Sequence, residues 1–551
     1  NTMNKLLPLA AVLSIFCLSR LSAQEAPAPP RLIIGIVVDQ MRYDFLYRYS
    51  SKYGPGGFKR LLREGFSCEN THYNFAPTFT GPGHAAIYTG ATPSVNGIIA
   101  NDWYDRQWGK HRYVTADTTE NTVGGEGRVG QHSPRVLLST TITDELRLSN
   151  AFKSKVVGVC LKDRGSILPA GHVPDACYWF DDKGGNWITS TYYPDSLGLP
   201  QWVQDFNGRR LADQYTANPW TRLLTQPYDE SFTGWDQYDD GKYISMPGGF
   251  PHDLPALKKQ SGYTVLRFTP FGNSLTLDFA LEAIEKMELG ADAVPDFLCL
   301  SFSATDYIGH QWGIHAEETQ DAYLRLDADL ARLFEYIDQK FGRNNTLVFL
   351  TSDHGGAETP VHLEDLEVPA GVFEESKAVL PFNAAIEAEF GKKGDFVLEA
   401  ANQQVWLDHI ALRDAGIELE DAAQALVQYL RTQPGVYEAW SRQGLMALPG
   451  DYPYAPEQRR GIHPRRSGDV IFNLDPAWHA DDKTFRIGGT THGSPYSYDT
   501  HVPLVWHGWR VPAGKSFSPV NITDIAPTLA AMLRIMEPSG STGKVIEAVV
   551  K

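Results

Sequence analysis

Four apolar runs of strand length, each closed by a residue able to carry chemistry, constrain this chain more than any other feature. Leu32-Ile33-Ile34-Gly35-Ile36-Val37-Val38 ends at Asp39, and Val156-Val157-Gly158-Val159-Cys160-Leu161 ends at Lys162. Phe297-Leu298-Cys299-Leu300-Ser301-Phe302 leads to Asp306, and Leu347-Val348-Phe349-Leu350 leads to Asp353; a late run, Pro503-Leu504-Val505-Trp506, follows His501. A strand that is apolar on both faces must be covered on both, which selects a parallel sheet with helices on either side. Helices are legible between the runs. Leu326, Leu330, Leu333, Phe334 and Ile337 recur at the spacing of one helix face, and Phe279, Ile284 and Met287 mark another. The expected fold is α/β, a three-layer α/β/α sandwich on a mostly parallel central sheet. Ligands of such sheets bind beyond the carboxyl ends of the strands, where Asp39, Lys162, Asp306 and Asp353 fall together.

Two stretches break the alternation. Residues 178–263 are rich in Trp, Tyr, Gly and Asp, and in residues 358–485 short helix and strand patterns mix. Both read as cap insertions that cover the site, within one catalytic domain spanning 31–535. The 551 residues, 42% hydrophobic and 21% charged, follow ordinary globular usage and exclude a disordered, collagen-like or coiled-coil chain. At the start, Lys5 precedes an apolar run from Leu6 to Leu18, then Leu21-Ser22-Ala23, then a polar, Pro-rich stretch. That order is a secretory signal, residues 1–23, cleaved near Ala23. No run in the chain approaches the roughly 18 apolar residues of a membrane span. The expected protein is periplasmic or secreted, without a membrane partner. Its net charge of −17 becomes −19 once the signal, with Lys5, Arg20 and no acid, is removed. Such a surface repels a phosphate backbone and excludes nucleic-acid binding through a basic face, while a small anion can still bind where the site supplies its own cations. Beyond the signal, Cys68, Cys160, Cys177 and Cys299 remain, spaced too widely for a CxxC metal site; disulfides in any of three pairings and buried free thiols both fit.

The metal-type residues are Asp39, Asp306 and His310 four apart, the adjacent Asp353 and His354, and His492 in Thr491-His492-Gly493. One helical turn puts Asp306 and His310 on the same face, within reach of a single cation. Singly each signal is weak, since an Asp after a strand is more often a helix cap. Jointly, six Asp and His ligands divide into two sets, and carboxylate with imidazole suits zinc in a catalytic site. Two cations about 4 Å apart clamp the attacking and leaving oxygens of a phosphoryl group. The nucleophile candidate is Thr80 in Phe79-Thr80-Gly81-Pro82-Gly83-His84. Pro82 suits a first helical turn, so Thr80 sits at a helix entrance whose free N–H groups and dipole favour an alkoxide and a phosphate. An ordinary N-cap is the competing role for it.

With Asn101 in Ile98-Ile99-Ala100-Asn101-Asp102-Trp103-Tyr104, Lys162-Asp163-Arg164-Gly165 and Asp524-Ile525-Ala526-Pro527-Thr528-Leu529, these motifs resemble the alkaline phosphatase superfamily, in particular the secreted bacterial PafA-type alkaline phosphatases with a threonine nucleophile. The resemblance implies two Zn2+: one on Asp306, His310 and His492, the other on Asp39, Asp353 and His354 with Thr80 as its alkoxide. It makes Thr80, Asn101, Lys162 and Arg164 catalytic, the last three holding the phosphoryl oxygens. A monoester dianion carries one more charged oxygen than a diester, which a Lys/Arg pair can read; related phosphodiesterases lack that pair. The Thr80-Gly81-Pro82-Gly83-His84 stretch echoes the sulfatase signature, but threonine cannot yield formylglycine and His84 stands in place of the arginine. The expected function is zinc-dependent hydrolysis of small-molecule phosphate monoesters, broad in range, through a phosphothreonine, releasing inorganic phosphate for phosphate acquisition by a monomer. The alternative is a nucleotide pyrophosphatase or phosphodiesterase on the same scaffold. A silent exported protein that keeps zinc or scavenges phosphate is the reading from another class.

Overall fold

Leu32–Val38 forms the middle of the molecule, and all seven of its residues are buried, as a run apolar on both faces requires. In the computed structural model, which describes residues 28–194, 198–230, 246, 248–481 and 489–550, alternate residues of this strand divide between two cores. Leu32, Ile34, Ile36 and Val38 pack with Phe279 of the helix Phe271–Lys286 and with Leu326, Leu330, Leu333, Phe334 and Ile337 of the helix Glu317–Phe341. Ile33 and Val37 face the opposite layer, with Ile87 of Thr80–Thr89, Leu146 of Ile142–Ser149, Ile167 of Asp163–Ala170 and Leu529 of Ile525–Leu533. The period of two along one strand thus builds the three layers. The signal-like segment 1–23 lies outside the described residues.

The central sheet has ten strands, ordered Gly514–Ser516, Phe66–Cys68, Leu504–Gly508, Thr346–Thr351, Leu32–Val38, Asp296–Phe302, Val156–Cys160, Ala176–Asp181, Asn186–Ser190, Thr122–Val123. Five adjacent strands, from Thr346–Thr351 to Ala176–Asp181, run parallel. The late run Leu504–Gly508 joins them antiparallel, against Thr346–Thr351. The chain enters it from the loop carrying His492, already at the carboxyl edge, and the connection is too short for a crossover that would return it in parallel.

The sheet also continues through Ala176–Asp181 and Asn186–Ser190, residues assigned from the sequence to the start of the first interruption. Tyr178 and Phe180 enter one core and Trp179 the other, so the aromatic richness there is that of a strand buried on both faces. Residues 358–485 hold a separate antiparallel sheet of Val397–Ala401, Gln404–Leu407, Val470–Leu474 and Val436–Ser441, with its own core around Phe382, Ile386, Leu426 and Phe472. No helix among the described residues is long and apolar enough to cross a membrane. Cys68, Cys160, Cys177 and Cys299 are buried free thiols.

Candidate active site

The parallel strands deliver their terminal residues to one edge. Asp39 follows Leu32–Val38; Asp353 and His354 follow Thr346–Thr351; Lys162 stands at the entrance of Asp163–Ala170; Asp306 and His310 lie on the helix Ala304–Trp312 that follows Asp296–Phe302. Thr80 is the first residue of its helix, preceded by the extended Phe79, with Pro82 in the first turn. That helix lies close over the sheet because residue 35 is glycine: a Cβ there would stand 2.3 Å from the Tyr88 hydroxyl.

Two groups of ligand-type atoms form at this edge. Asp39, Asp353 and His354 make one; Asp306, His354 and His492 make the other, with the atoms of each group within 4.8 Å of one another. His354 belongs to both, its ring stacked on His492 with centroids 3.4 Å apart. His310 lies against the second group, its Nε2 3.1 Å from Asp306 Oδ1 and its ring 5.3 Å from that of His492. All three imidazoles are oriented alike by the backbone: His310 Nδ1 donates to Thr490 O at 2.7 Å, His492 Nδ1 to Thr78 O at 2.7 Å, and His354 Nδ1 to Gly355 O at 2.9 Å. Each Nε2 is thereby left as the lone-pair nitrogen, the tautomer that ligates a metal.

The donors fit a divalent cation. Asp39 Oδ1 and Asp353 Oδ2 are buried without a hydrogen-bond partner and lie 3.5 and 3.7 Å from His354 Nε2; a bare buried carboxylate oxygen is costly unless something cationic meets it. Burial, then repulsion from Asp306, pushes Asp39 up to about 6, and burial together with Asp39 pushes Asp353 well above the carboxylate range. Asp306 is held well below that range, because His310 and Lys162 overcome its burial. Burial lowers His354 far below its ordinary value and His492 to about 3, so both rings stay neutral.

Thr80 is 1% exposed, its Oγ1 3.5 Å from His354 Nε2. Asn101 Oδ1 accepts from the Gly81 N–H at 2.7 Å, capping the same helix end. Lys162 lies between the two groups, its Nζ 2.6 Å from Asp39 Oδ2 and 2.6 Å from Asp306 Oδ2. These carboxylates raise its pKa in spite of burial. Arg164 Nη1 donates to the Tyr113 hydroxyl at 2.9 Å, which donates in turn to Asp163 Oδ2 at 3.0 Å. The structure therefore gathers Thr80, Lys162 and the metal-type residues, while Asn101 and Arg164 reach the region through Gly81 and Tyr113.

Several supporting residues are not among the site residues expected from the sequence. Gln40 touches Asp306 and Asp353. His84, one turn after Thr80, donates from Nδ1 to Thr80 O at 2.8 Å and accepts from Ser301 Oγ at 2.9 Å; its spacing in Thr80-Gly81-Pro82-Gly83-His84 is the hint that was available. The Tyr307 ring lies 4.8 Å from Lys162 Nζ, and its hydroxyl accepts from Arg267 at 2.6 Å.

Residues 33–510 match the family model of type I phosphodiesterases and nucleotide pyrophosphatases, and the chain belongs to this family of the alkaline phosphatase superfamily. Within it, the similarity is to PafA-like alkaline phosphatases. Alkaline phosphatase PafA of Elizabethkingia meningoseptica is 43% identical over 96% of both chains. Alkaline phosphatase PhoV of Synechococcus elongatus is 41% identical over 96% of this chain and 94% of its own. A Myroides odoratus protein named a calcium-transporting ATPase is 43% identical over 96% of both. The crystal structure of wild-type PafA superposes with a TM-score of 0.88 at 41% identity, covering 96% of this chain and all of PafA. Murine ectonucleotide pyrophosphatase/phosphodiesterase 5, at 14% identity and a TM-score of 0.52 over 92% of this chain and 95% of its own, shares the fold.

Proposed function

We propose that this alkaline phosphatase hydrolyses a broad range of phosphate monoesters through a phosphothreonine at Thr80, with one Zn2+ on Asp306, His310 and His492 and a second on Asp39, Asp353 and His354. The observation that carries the reading is the convergence on one sheet edge of a buried threonine at a helix entrance, two carboxylate-imidazole groups and a buried lysine between them. Bound there, the cations would lower the pKa of the threonine hydroxyl and offset charge on the entering and leaving oxygens.

The chain's own residues supply the rest. Thr80 Oγ attacks phosphorus in line, the bond to the leaving oxygen breaks, and that oxygen takes up a proton as the alcohol departs. Water then cleaves the phosphothreonine and returns the proton to Thr80, releasing inorganic phosphate. The helix entrance at Thr80 favours the negative charge developing there. Lys162 and Arg164 contact the phosphoryl oxygens with charge-assisted hydrogen bonds, and the Asn101 amide, its oxygen already held by Gly81, offers its NH2 end. A monoester dianion uses both cationic side chains, whereas a diester offers one charged oxygen fewer. His84, held by burial to about 3, stays neutral and fixes the backbone beneath the nucleophile.

The signal-like order of residues 1–23 supports a periplasmic or secreted enzyme, which in this reading serves phosphate acquisition as a monomer. The family's description favours a second reading, a phosphodiesterase on this scaffold. Rates on an aryl phosphate and on its methyl diester separate the two, and a strong diester preference would refute the first. Acid quenching with labelled substrate should trap phosphate on Thr80, and Thr80→Ala should abolish both label and turnover while retaining zinc. Label on another residue, or full activity after chelation, would overturn the mechanism.

A further inference from the structure

Gln40 follows Asp39 directly and is 3% exposed. Its backbone has φ +61°, the left-handed region that residues with a Cβ seldom adopt. The turn this imposes brings both of its donors onto the site. Its main-chain N–H donates to Asp353 Oδ1 at 3.2 Å, and its side-chain Nε2 donates to Asp306 Oδ1 at 2.9 Å. Asp306 Oδ1 is the oxygen that faces His310 Nε2 at 3.1 Å and His492 Nε2 at 3.7 Å, whereas Oδ2 takes Lys162.

The amide sits in space that glycines provide. A Cβ at residue 309 would stand 1.9 Å from Gln40 Oε1, and one at residue 356 would stand 3.3 Å from Gln40 Cγ. An amide NH2 pointing at a carboxylate can only donate, so glutamine at this place holds Asp306 without adding a competing charge. Residue 40 is thus tied to one carboxylate of each group, through two chemically different arms.

We propose that Gln40 is a positioning residue for the metal centre: its side chain fixes Asp306 Oδ1 toward His310 and His492 and so sets the cation affinity of that group, while its main chain fixes Asp353 independently of residue type. This rests on the reading of Asp306, His310 and His492 as zinc ligands. Because the two arms differ, substituting the side chain should disturb one zinc and spare the other.

Gln40→Gly is the informative variant, since glycine adopts φ +61° freely and keeps the N–H to Asp353 while deleting the amide. Zinc binding to the full-length protein is measured by stepwise competition with a chelator, and the absorption spectrum is recorded after cobalt replaces zinc. The expected result is a loss of about 10- to 100-fold in one of the two zinc-binding steps, the size typical for removing a partner of a ligand, with the other step unchanged. The cobalt bands should shift at the same time, and Gln40→Asn, too short to reach Asp306 but tolerant of positive φ, should behave alike and serves if the glycine variant does not fold. Asp306→Asn separates the two levels of the argument. If it binds zinc as the wild type does, the metal reading of Asp306 fails; if it loses a zinc while both Gln40 variants keep wild-type affinities and spectra, the proposal for Gln40 alone is overturned.

Discussion

Replacing Lys162 with methionine keeps the apolar stem and deletes a buried ammonium that lies 2.6 Å from each of two carboxylates, Asp39 and Asp306. The lysine side chain is 1% exposed, so water cannot take its place. Removing one partner of a buried ion pair costs about 3–5 kcal/mol, because the remaining charge is left uncompensated. The cost should depend on pH. Burial and Asp306 already push Asp39 up to about 6. A carboxyl raised in the folded state contributes stability that is complete below its unfolded value near 3.8 and is lost as pH rises through its folded value. The variant should therefore be destabilised most at pH 8 and least near pH 4. Cations on the same carboxylates take over the role of the ammonium, so saturating zinc should restore most of the lost stability. By linkage, zinc should bind the variant at least about tenfold more tightly than the wild type, which is about 1.4 kcal/mol. Urea unfolding of both proteins at pH 8, in chelator and in zinc, gives the four corners of this cycle. Equal destabilisation with and without zinc would refute the argument that lysine and cation share Asp39 and Asp306.

Three further outcomes can be checked. Arg164→Ala should lower kcat/KM for an aryl phosphate by about 10- to 100-fold, the worth of one charge-assisted hydrogen bond, and should affect the methyl diester less; equal losses would show that the guanidinium does not read the dianion. Gly83→Ala would put a Cβ 2.2 Å from the backbone oxygen of Asp353, so overpacking should cost about 1–3 kcal/mol and displace the Asp353 group, seen as a lower Tm with reduced zinc content. His315 is raised to about 9, first by its hydrogen bond to Glu230 and next by that to Glu358. Its stabilising contribution is complete below about 6.5 and lost as pH rises through 9, so the protection of amides around Glu230 and Glu358, taken relative to their intrinsic base-catalysed exchange, should fall between pH 8 and 10 in the wild type and not in His315→Ala.

The parallel core was legible because a strand buried on both faces has to read as an unbroken apolar run, and a run ending in Asp or Lys marks the edge where ligands gather. Leu32–Val38 and Asp296–Phe302 are of this kind. Ala176–Asp181 was not read as a strand, since Tyr178, Trp179 and Phe180 sit among turn-forming residues. The metal-type residues were legible through their chemistry, which survives any change of backbone. Gln40 was not: its meaning lies in Asp306, 266 positions away, and in a positive φ that glutamine does not advertise. Nor does spacing reveal that Lys162, read from the sequence as a phosphate contact, rests on Asp39 and Asp306.

Charge balance links these placements to the choice of substrate. With cations holding all three carboxyls deprotonated, Asp39, Asp306 and Asp353 contribute three negative charges, against two positive charges on Lys162 and Arg164. Asp163, turned toward Tyr113 and Thr115, stands outside the sum. Those residues alone, at −1, cannot balance a phosphate dianion beside a threonine alkoxide, which together carry −3. One divalent cation brings the protein side to +1, and two bring it to +3, the value that neutralises the pair. A diester monoanion with the same alkoxide carries −2 and leaves a surplus charge buried at low dielectric, which is unfavourable. The overall acidity of the chain, at −17, thus coexists with a centre that, in the proposed two-cation reading, balances the monoester better than the diester.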